Sequence, residues 1–422
     1  MDTMEPMLFY YHLSAVNEFK ELLERKEGAE ASVLEKKTSK SYTVVTYDKC
    51  LLRDVSTLGL FRSVILNSLN KVVCFSPPKS VSAETFIKAF PELNYNQLIT
   101  EEFVEGTMMN VFWDPSIGFA GAWEIATKHV VGAETKFFQE YATERKTKSL
   151  GADGKTFREM FMEAAHLANL HIDYLDKRLC YSFVLQHPEN RIVAPFLYPS
   201  LVLVASYEIV QALDDIKVSP IRMDLLSQMD FWKSTRVRFP QNYTGFASYS
   251  ALIDAYASMN TPYHVMGVVI KNNATGERCK IRNPNYEQVR ALRGNQPKLQ
   301  YRYLSLRKEG KVAEYLKYYP EHKADFSGFR DHLHLYTTTL HRNYLACFVK
   351  KEKTKVEDYP EEYQKHMKHL HYHWLTVLRE KKESVTKSVV IQYLHELHPS
   401  QLMYALNYNM VRRGVDYREV YI

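Results

Sequence analysis

The sequence predicts an α+β protein, a domain of antiparallel sheets followed by an all-helical C-terminal domain. Two observations predict it. Through residues 42–285, short β-rich and alternating runs are separated by turn residues. From Glu287 onward, apolar residues recur instead at helical spacing, as in Leu299, Tyr303 and Leu306 or in Val312, Tyr315, Leu316 and Tyr319. The domain limits that follow are 1–40 for an N-terminal helical extension, 41–285 for the mixed domain and 286–422 for the helical one.

The elements follow in order. Leu13 to Lys26 has amphipathic helical spacing, and a polar stretch then runs through Ser41. Tyr42–Tyr47 alternates as a strand does. Residues 62–67 and 71–75 flank the turn Ser68-Leu-Asn70 as a hairpin, which Pro77-Pro78 ends. A second hairpin joins 108–113 to 121–127 around Asp114-Pro-Ser-Ile-Gly118. Helices are predicted over 156–169 and 172–177, and strands over 181–185, 191–195 and 202–209. A late β-pair, 264–271 with 278–282, brackets Asn272-Asn-Ala-Thr-Gly276. Further helical patterns run through 324–349, 360–380, 387–397 and 399–413, punctuated by Pro320, Pro360 and Pro399.

Composition narrows the function classes. In 422 residues, 45% are hydrophobic and 25% charged, which excludes a wholly disordered or collagen-like chain. The longest apolar stretch, Ile192 to Val210, is broken by Pro195, Tyr198, Pro199, Ser200 and Glu208, so no membrane-spanning helix is predicted. The first residues carry acids and no basic segment, unlike a signal peptide. Cys50, Cys74, Cys180, Cys279 and Cys347 lie far apart, which predicts free thiols in a reducing, cytoplasmic compartment. The net charge of +6 is mildly basic, and the 30 tyrosines suit either base stacking or, more simply, a tyrosine-rich core.

The densest basic segment runs from Arg278 to Lys311. Ten basic residues there face only Glu277, Glu287 and Glu309, with Tyr286, Tyr301 and Tyr303 interleaved. Lys280 and Arg282 alternate on a strand, so both project to one face, where a phosphate would relieve their repulsion. A solvated face is the alternative. Within the same segment, Arg290, Arg293, Lys298 and Arg302 are candidate RNA contacts. Arg191 is either pinned by a carboxylate or set at a pocket rim. Glu105-Gly106, after Glu101-Glu102, presents a carboxylate at a strand start or lies in a solvated turn. His366, His369, His371 and His373 lack a metal-binding signature, and no metal site is predicted. P-loop, Rossmann and nucleophile-elbow motifs are missing from the sequence.

Taken collinearly, residues 40–285 resemble the phage-type ATP-dependent RNA ligases. The resemblance is closest to RNA-ligase-like proteins of large DNA viruses, whose helical part matches Arg293-Gly-Asn-Gln-Pro-Lys-Leu-Gln-Tyr301. Arg62-Ser63 corresponds to that family's Arg-Gly strand and Pro78-Lys79 to its following basic segment. Phe103-Val-Glu105-Gly106 stands at the nucleophile motif Lys-x-Asp-Gly, and Lys128 matches a strand lysine. Tyr181-Ser182-Phe-Val184 with Asn190-Arg-Ile-Val193, and Met266-Gly267-Val-Val269, stand at the acidic motifs. Lys280-Ile-Arg282 stands at the final Lys-x-Lys strand.

The resemblance implies a ligase-type nucleotidyltransferase domain that binds nucleotide or RNA phosphates through Arg62, Lys79, Glu105, Lys128, Lys280 and Arg282. RNA is the implied partner, and ATP with Mg²⁺ the cofactors of an active member. It also implies a viral protein acting in a host cytoplasm. Phe103, Ser182 and Met266 replace the nucleophile and two glutamates. That implies anion binding with lost or altered self-adenylylation, because phenylalanine cannot form a phosphoramidate. An active ligase would need a displaced lysine, with Lys49, Lys79 and Lys128 as candidates. A scaffold reading has the helical domain docking a protein partner on a vestigial ligase fold.

Overall fold

The segment Leu-Cys-Tyr-Ser-Phe-Val-Leu-Gln is buried at every position. Such a strand needs cover on both faces, and the fold supplies it. The computed structural model describes residues 7, 9–24, 33–136, 154–212, 215–296, 298–353 and 355–411. The chain divides after Arg290 into two compact units. The protein is α+β, with antiparallel sheets in the first unit and helices in the second.

The strands among the described residues all lie in the first unit. They are β1 (Tyr11–His12), β2 (Leu34–Ser39), β3 (Tyr42–Tyr47), β4 (Val64–Leu66) and β5 (Val72–Phe75). β6 (Leu98–Glu102), β7 (Thr107–Asp114), β8 (Ala122–Ala126) and β9 (Leu179–Gln186) follow. β10 (Ser200–Ala212), β11 (Asp215–Pro220), β12 (Gly267–Asn272) and β13 (Arg278–Arg282) complete the set. They form sheets of order β1-β11-β10-β9-β7-β8, β2-β3-β4-β5 and β13-β12-β6.

Side-chain alternation divides the six-stranded sheet into two buried faces. Phe112, Cys180 and Tyr207 join Val44, Val64 and Phe75 of the four-stranded sheet. Met109, Tyr181, Phe183 and Leu203 pack against helix Phe157–Leu167 through Met160, Phe161 and Ala164. That helix starts at a reciprocal cap. Thr156 Oγ1 accepts the Glu159 N–H at 3.1 Å, and Glu159 Oε2 accepts the Thr156 N–H at 2.7 Å. The three-stranded sheet has its own core, where Cys279, Val268 and Ile270 meet Phe86 and Leu252 from two covering helices.

The second unit buries tyrosine. Tyr315 and Tyr319 are fully buried, and the Tyr315 ring lies 5.1 Å from that of Phe326. Its long helix, Lys323–Tyr344, ends in a π turn over Leu345–Val349. Pro399 opens helix Pro399–Leu406 at its first turn, where the missing N–H costs nothing. Among the described residues, no helix is long and apolar enough to cross a membrane.

Several expectations change. The first helix breaks at Val16, with a 3-10 turn over Leu13–Ala15 and a helix over Asn17–Glu24; residues 25 and 26 lie outside the described residues. Residues 172–177 hold only a 3-10 turn, Ile172–Tyr174. Residues 191–195 form no strand. The polar stretch before Ser41 contains β2, whose Glu35, Lys36 and Lys37 are exposed.

Gly267 fixes the start of β12. Its φ is +130°, and a Cβ there would run into the Ile281 carbonyl oxygen. Gly267→Ala is expected to destabilise the protein by about 3 kcal/mol, read by chemical denaturation. An unchanged unfolding midpoint would show that β12 and β13 can separate at this point.

Candidate anion-binding site

β13 reads Arg-Cys-Lys-Ile-Arg. Its pleat sends Cys279 and Ile281 into the sheet's core and leaves Arg278, Lys280 and Arg282 on the other face. The register places Arg278 opposite Lys271, Lys280 opposite Val269 and Arg282 opposite Gly267. Across β12, Glu101 of β6 lies opposite Val269 and pairs with Lys271. That carboxylate therefore answers Lys271, and the three cations of β13 remain side by side.

Phe103 sits just past β6 and donates its N–H to the Gly267 carbonyl at 3.1 Å. Gly267 has no side chain, so the Phe103 ring spans it and reaches the next strand. Lys280 Nζ lies 4.6 Å from the ring centre and the Arg282 guanidinium 5.8 Å from it. The residue at the expected nucleophile position is therefore an apolar platform under two basic groups.

Further cations approach from other elements. Arg62, between the 3-10 turn Leu58–Leu60 and β4, acts electrostatically on both Lys280 and Lys128. Burial, then Arg278, lowers the Arg62 guanidinium below its ordinary value. Lys128 Nζ lies 5.7 Å above the Tyr47 ring; burial, then Arg62 and Lys49, lowers its ammonium. Arg278 donates to Ser80 Oγ at 3.3 Å, and with Lys271, Tyr11, Tyr207 and Pro78 it borders a crevice of ≈ 60 Å³. Lys79 is tied to the Arg62 segment through its backbone, its N–H donating to the Gly59 carbonyl at 2.9 Å.

Among the described residues, no Asp or Glu lies within 4.0 Å of the charged atoms of Arg62, Lys128, Arg278 or Lys280. Arginine cannot yield its proton, so lysine does. Burial, followed by Arg278, Arg62, Arg282 and Lys271, pushes Lys280 down to about 6. The site is thus a set of guanidinium groups around an amine that holds its proton weakly.

Other candidate residues have structural tasks. Glu105 is buried, and its carboxylate accepts the N–H groups of Val193 at 2.6 Å and Ala194 at 3.0 Å. It fastens the 191–194 segment. The predicted strand there is replaced by this carboxylate cap, and Arg191 donates to the Val193 carbonyl at 3.1 Å. Exposed Arg282 pairs with Glu287 at 3.3 Å, and Arg290 meets the same carboxylate at 3.5 Å.

Arg302 bonds to backbone carbonyls. Its Nε donates to the Leu292 carbonyl at 2.6 Å and a terminal nitrogen to that of Ala291 at 2.9 Å, satisfying carbonyls at the end of helix Pro284–Arg293. Arg293 is buried, so it offers no open RNA-contact surface, and Lys298 is partly exposed at the start of helix Leu299–Lys308.

Around Ser182 and Met266, where the resemblance expects glutamates, the described residues form no carboxylate set for a divalent cation. Ser182 Oγ donates to Asn110 Oδ1 at 2.8 Å, and Asn110 donates to Ser76 Oγ at 2.9 Å, a buried neutral chain. Met266 contributes its carbonyl to the Asn283 N–H at 3.1 Å. Glu102 faces Arg238 at 3.7 Å and the Gln241 N–H at 3.3 Å. These residues do not fit a Mg²⁺ site. The histidines of helix Glu361–His373 diverge: His366 contacts the Tyr393 hydroxyl at 2.8 Å, while His371 stacks on Phe348 at 3.9 Å.

A wider hollow of ≈ 720 Å³ lies in the helical unit, lined by Lys365, Lys368, His369 and Tyr372. Lys368 there is paired with Glu357 at 2.8 Å. The hollow differs from the β13 site in having Glu361 in its lining beside its lysines. Arg278 is the functional candidate that sequence reasoning left out of the site. Extending the Lys280–Arg282 alternation by one step finds it.

No protein-family model matches the chain, and no curated protein does. Among solved structures, an archaeal ATP-dependent RNA ligase in its form 1 is similar at 13% identity and a TM-score of 0.36, over 93% of this chain and 76% of that one. Form 2 gives 10% and 0.38, over 94% and 78%. A lysine-to-alanine mutant of the Naegleria gruberi RNA ligase with ATP and Mn gives 10% and 0.31, over 67% and 85%. Likeness at this level carries no residue roles across.

Two outcomes test the site. An unfolded chain keeps the Lys280 proton up to the ordinary 10.5 and the folded chain only up to about 6, so stability rises with pH across that window. Lys280→Met should therefore be more stable than the wild type at pH 6–7, with the gap closing toward pH 10. A gap independent of pH in denaturation series would refute the assignment. Glu105→Gln should cost about 2 kcal/mol of stability with anion affinity unchanged, because it weakens charge-assisted bonds to backbone N–H groups.

Proposed function

We propose that the first unit is an RNA-ligase-like nucleotidyltransferase domain holding the phosphates of a nucleotide or an RNA end, with residues 286–422 as an appended helical domain. One observation carries this reading. Arg62, Lys128 and Arg278 come from separate elements, share one electrostatic neighbourhood and have no carboxylate partner among the described residues. A phosphate is the anion whose geometry suits paired guanidinium groups. The collinear segments of the sequence support the ligase-like assignment independently. Covalent capture of a nucleotide at position 103 is lost, because that side chain is a phenyl ring.

The chain's own groups define what the site does. Arg62 and Arg278 supply fixed positive charge, and Lys128 adds to it from the β8 side. Phe103 shields the Lys280 amine from water. Charge neutralisation falls to these cations, since the nearby carboxylates are committed elsewhere.

A second reading concerns the helical unit alone. Leu335, Tyr372 and Tyr404 are 64%, 68% and 53% exposed there, which favours a protein-docking role.

Replacing Arg62 and Arg278 together by alanine should weaken binding of ATP and of a 5′-phosphorylated RNA roughly hundredfold. The slope of log affinity against log salt should fall by about one to two. Titrations of wild type and variant at several salt concentrations check this, and an unchanged slope would exclude the phosphate reading.

A further inference from the structure

We infer that the β13 site takes a phosphate group as the bare anion, without a divalent cation, its charge neutralised by Arg62, Arg278 and Lys128. This rests on reading the cation cluster as a phosphate site and adds the form in which the ligand is held. It reverses what the ligase resemblance implies, where ATP comes with Mg²⁺.

A hard divalent cation needs several oxygen ligands, carboxylates foremost. The glutamates of β6, of the β6–β7 turn and of the helix after β13 are already engaged. Glu101 holds Lys271, Glu102 faces Arg238, and Glu105 accepts the N–H groups of Val193 and Ala194. Glu287 lies between Arg282 and Arg290. Among the described residues, no three histidine, cysteine, aspartate or glutamate side chains are placed to hold a metal ion. The cluster offers N–H donors instead, and a guanidinium has no lone pair to give a metal. A divalent ion carried in on the phosphate would be set among guanidinium and ammonium groups, where like charges repel.

The space beside Arg278 is of phosphate size. Its crevice of ≈ 60 Å³ has room for roughly four waters, as many as a phosphate has oxygens. Tyr11, Tyr207 and Pro78 give it largely apolar walls, which strengthen the pull of Arg278 on an anion. The charges of both Arg278 and Arg62 act on buried Tyr207, so the two guanidinium groups address the same space. Asn273 in the lining keeps a buried Oδ1 without a hydrogen-bond partner, an acceptor for a protonated phosphate oxygen. Magnesium and guanidinium compete for the same phosphate oxygens, and the metal also cancels part of the negative charge that the cations attract. A magnesium-loaded polyphosphate is therefore the poorer ligand.

The test uses the full chain and inorganic tripolyphosphate, titrated by calorimetry in EDTA and again with the ligand saturated by Mg²⁺ at equal ionic strength. Inorganic sulfate, a poor magnesium ligand, is the control. Tripolyphosphate should bind roughly tenfold more weakly as its magnesium complex, while sulfate binding stays the same. ATP in the same two conditions distinguishes a phosphate borne on a nucleotide from one on an unsubstituted chain; where it binds, it should show the same loss. Arg62→Ala combined with Arg278→Ala, shown folded by its thermal melt, should lose the difference between the two conditions. Equal or tighter binding of the magnesium complex, or a parallel fall with sulfate, overturns the proposal and leaves the phosphate site standing. A difference retained by the double variant also overturns it. Tripolyphosphate binding in neither condition removes the phosphate site as well.

Discussion

Three like charges on one face of a single edge strand constrain everything around them. Arg278, Lys280 and Arg282 follow each other at spacings of about 7 Å, where two full charges repel by roughly 2 kcal/mol at the effective dielectric of a protein surface. The opposite face of β13 secures the strand, because Cys279 and Ile281 belong to a core with Phe86, Val268 and Leu252. Strand pairing cannot dilute the repulsion, since the register puts Lys271 across from Arg278. Relief comes unevenly. Arg282 reaches out to Glu287, Lys271 takes Glu101, and Lys280 holds its proton less tightly than an ordinary lysine. What remains is Arg278 with Arg62, both fixed in charge by the chemistry of guanidinium.

Much of the fold was legible because it depends on local pattern. The hairpin of β4 and β5 and that of β7 and β8 announce themselves by alternation on either side of turn residues. The second-unit helices announce themselves by spacing and by the prolines that start or end them. The missed elements lack such a signature. β2 is a polar edge strand with four exposed positions, and nothing in Leu-Glu-Lys-Lys-Thr-Ser distinguishes it from a loop. Residues 191–195 carry a strand composition, yet their backbone N–H groups are satisfied by a carboxylate 88 residues away in sequence. Long-range capture of that kind leaves no local trace.

The site divides the same way. Period-two alternation identified Lys280 and Arg282, and resemblance pointed to Arg62 and Lys128. Whether each cation has a partner was hidden, because Glu287 answers Arg282 while nothing among the described residues answers Arg62. Arg302 shows the reverse case. Its place in a basic segment suggests RNA, but its guanidinium closes the end of a helix whose last carbonyls would otherwise lack donors. A charge count cannot separate a cation facing solvent from one committed to backbone oxygens. Only three-dimensional placement can.

Phe103 follows from the same charge crowding. A lysine at that position would set another ammonium above Gly267, within reach of both Lys280 and Arg282, with Glu101 already held by Lys271. Another ammonium there would add to the repulsion among like charges. An aromatic ring avoids this: its face tolerates cations, it covers the side-chain gap at Gly267, and it dries the environment of the neighbouring amine. Phe103 therefore belongs to one electrostatic arrangement, in which fixed guanidinium charge surrounds the Lys280 amine and an aromatic ring covers it.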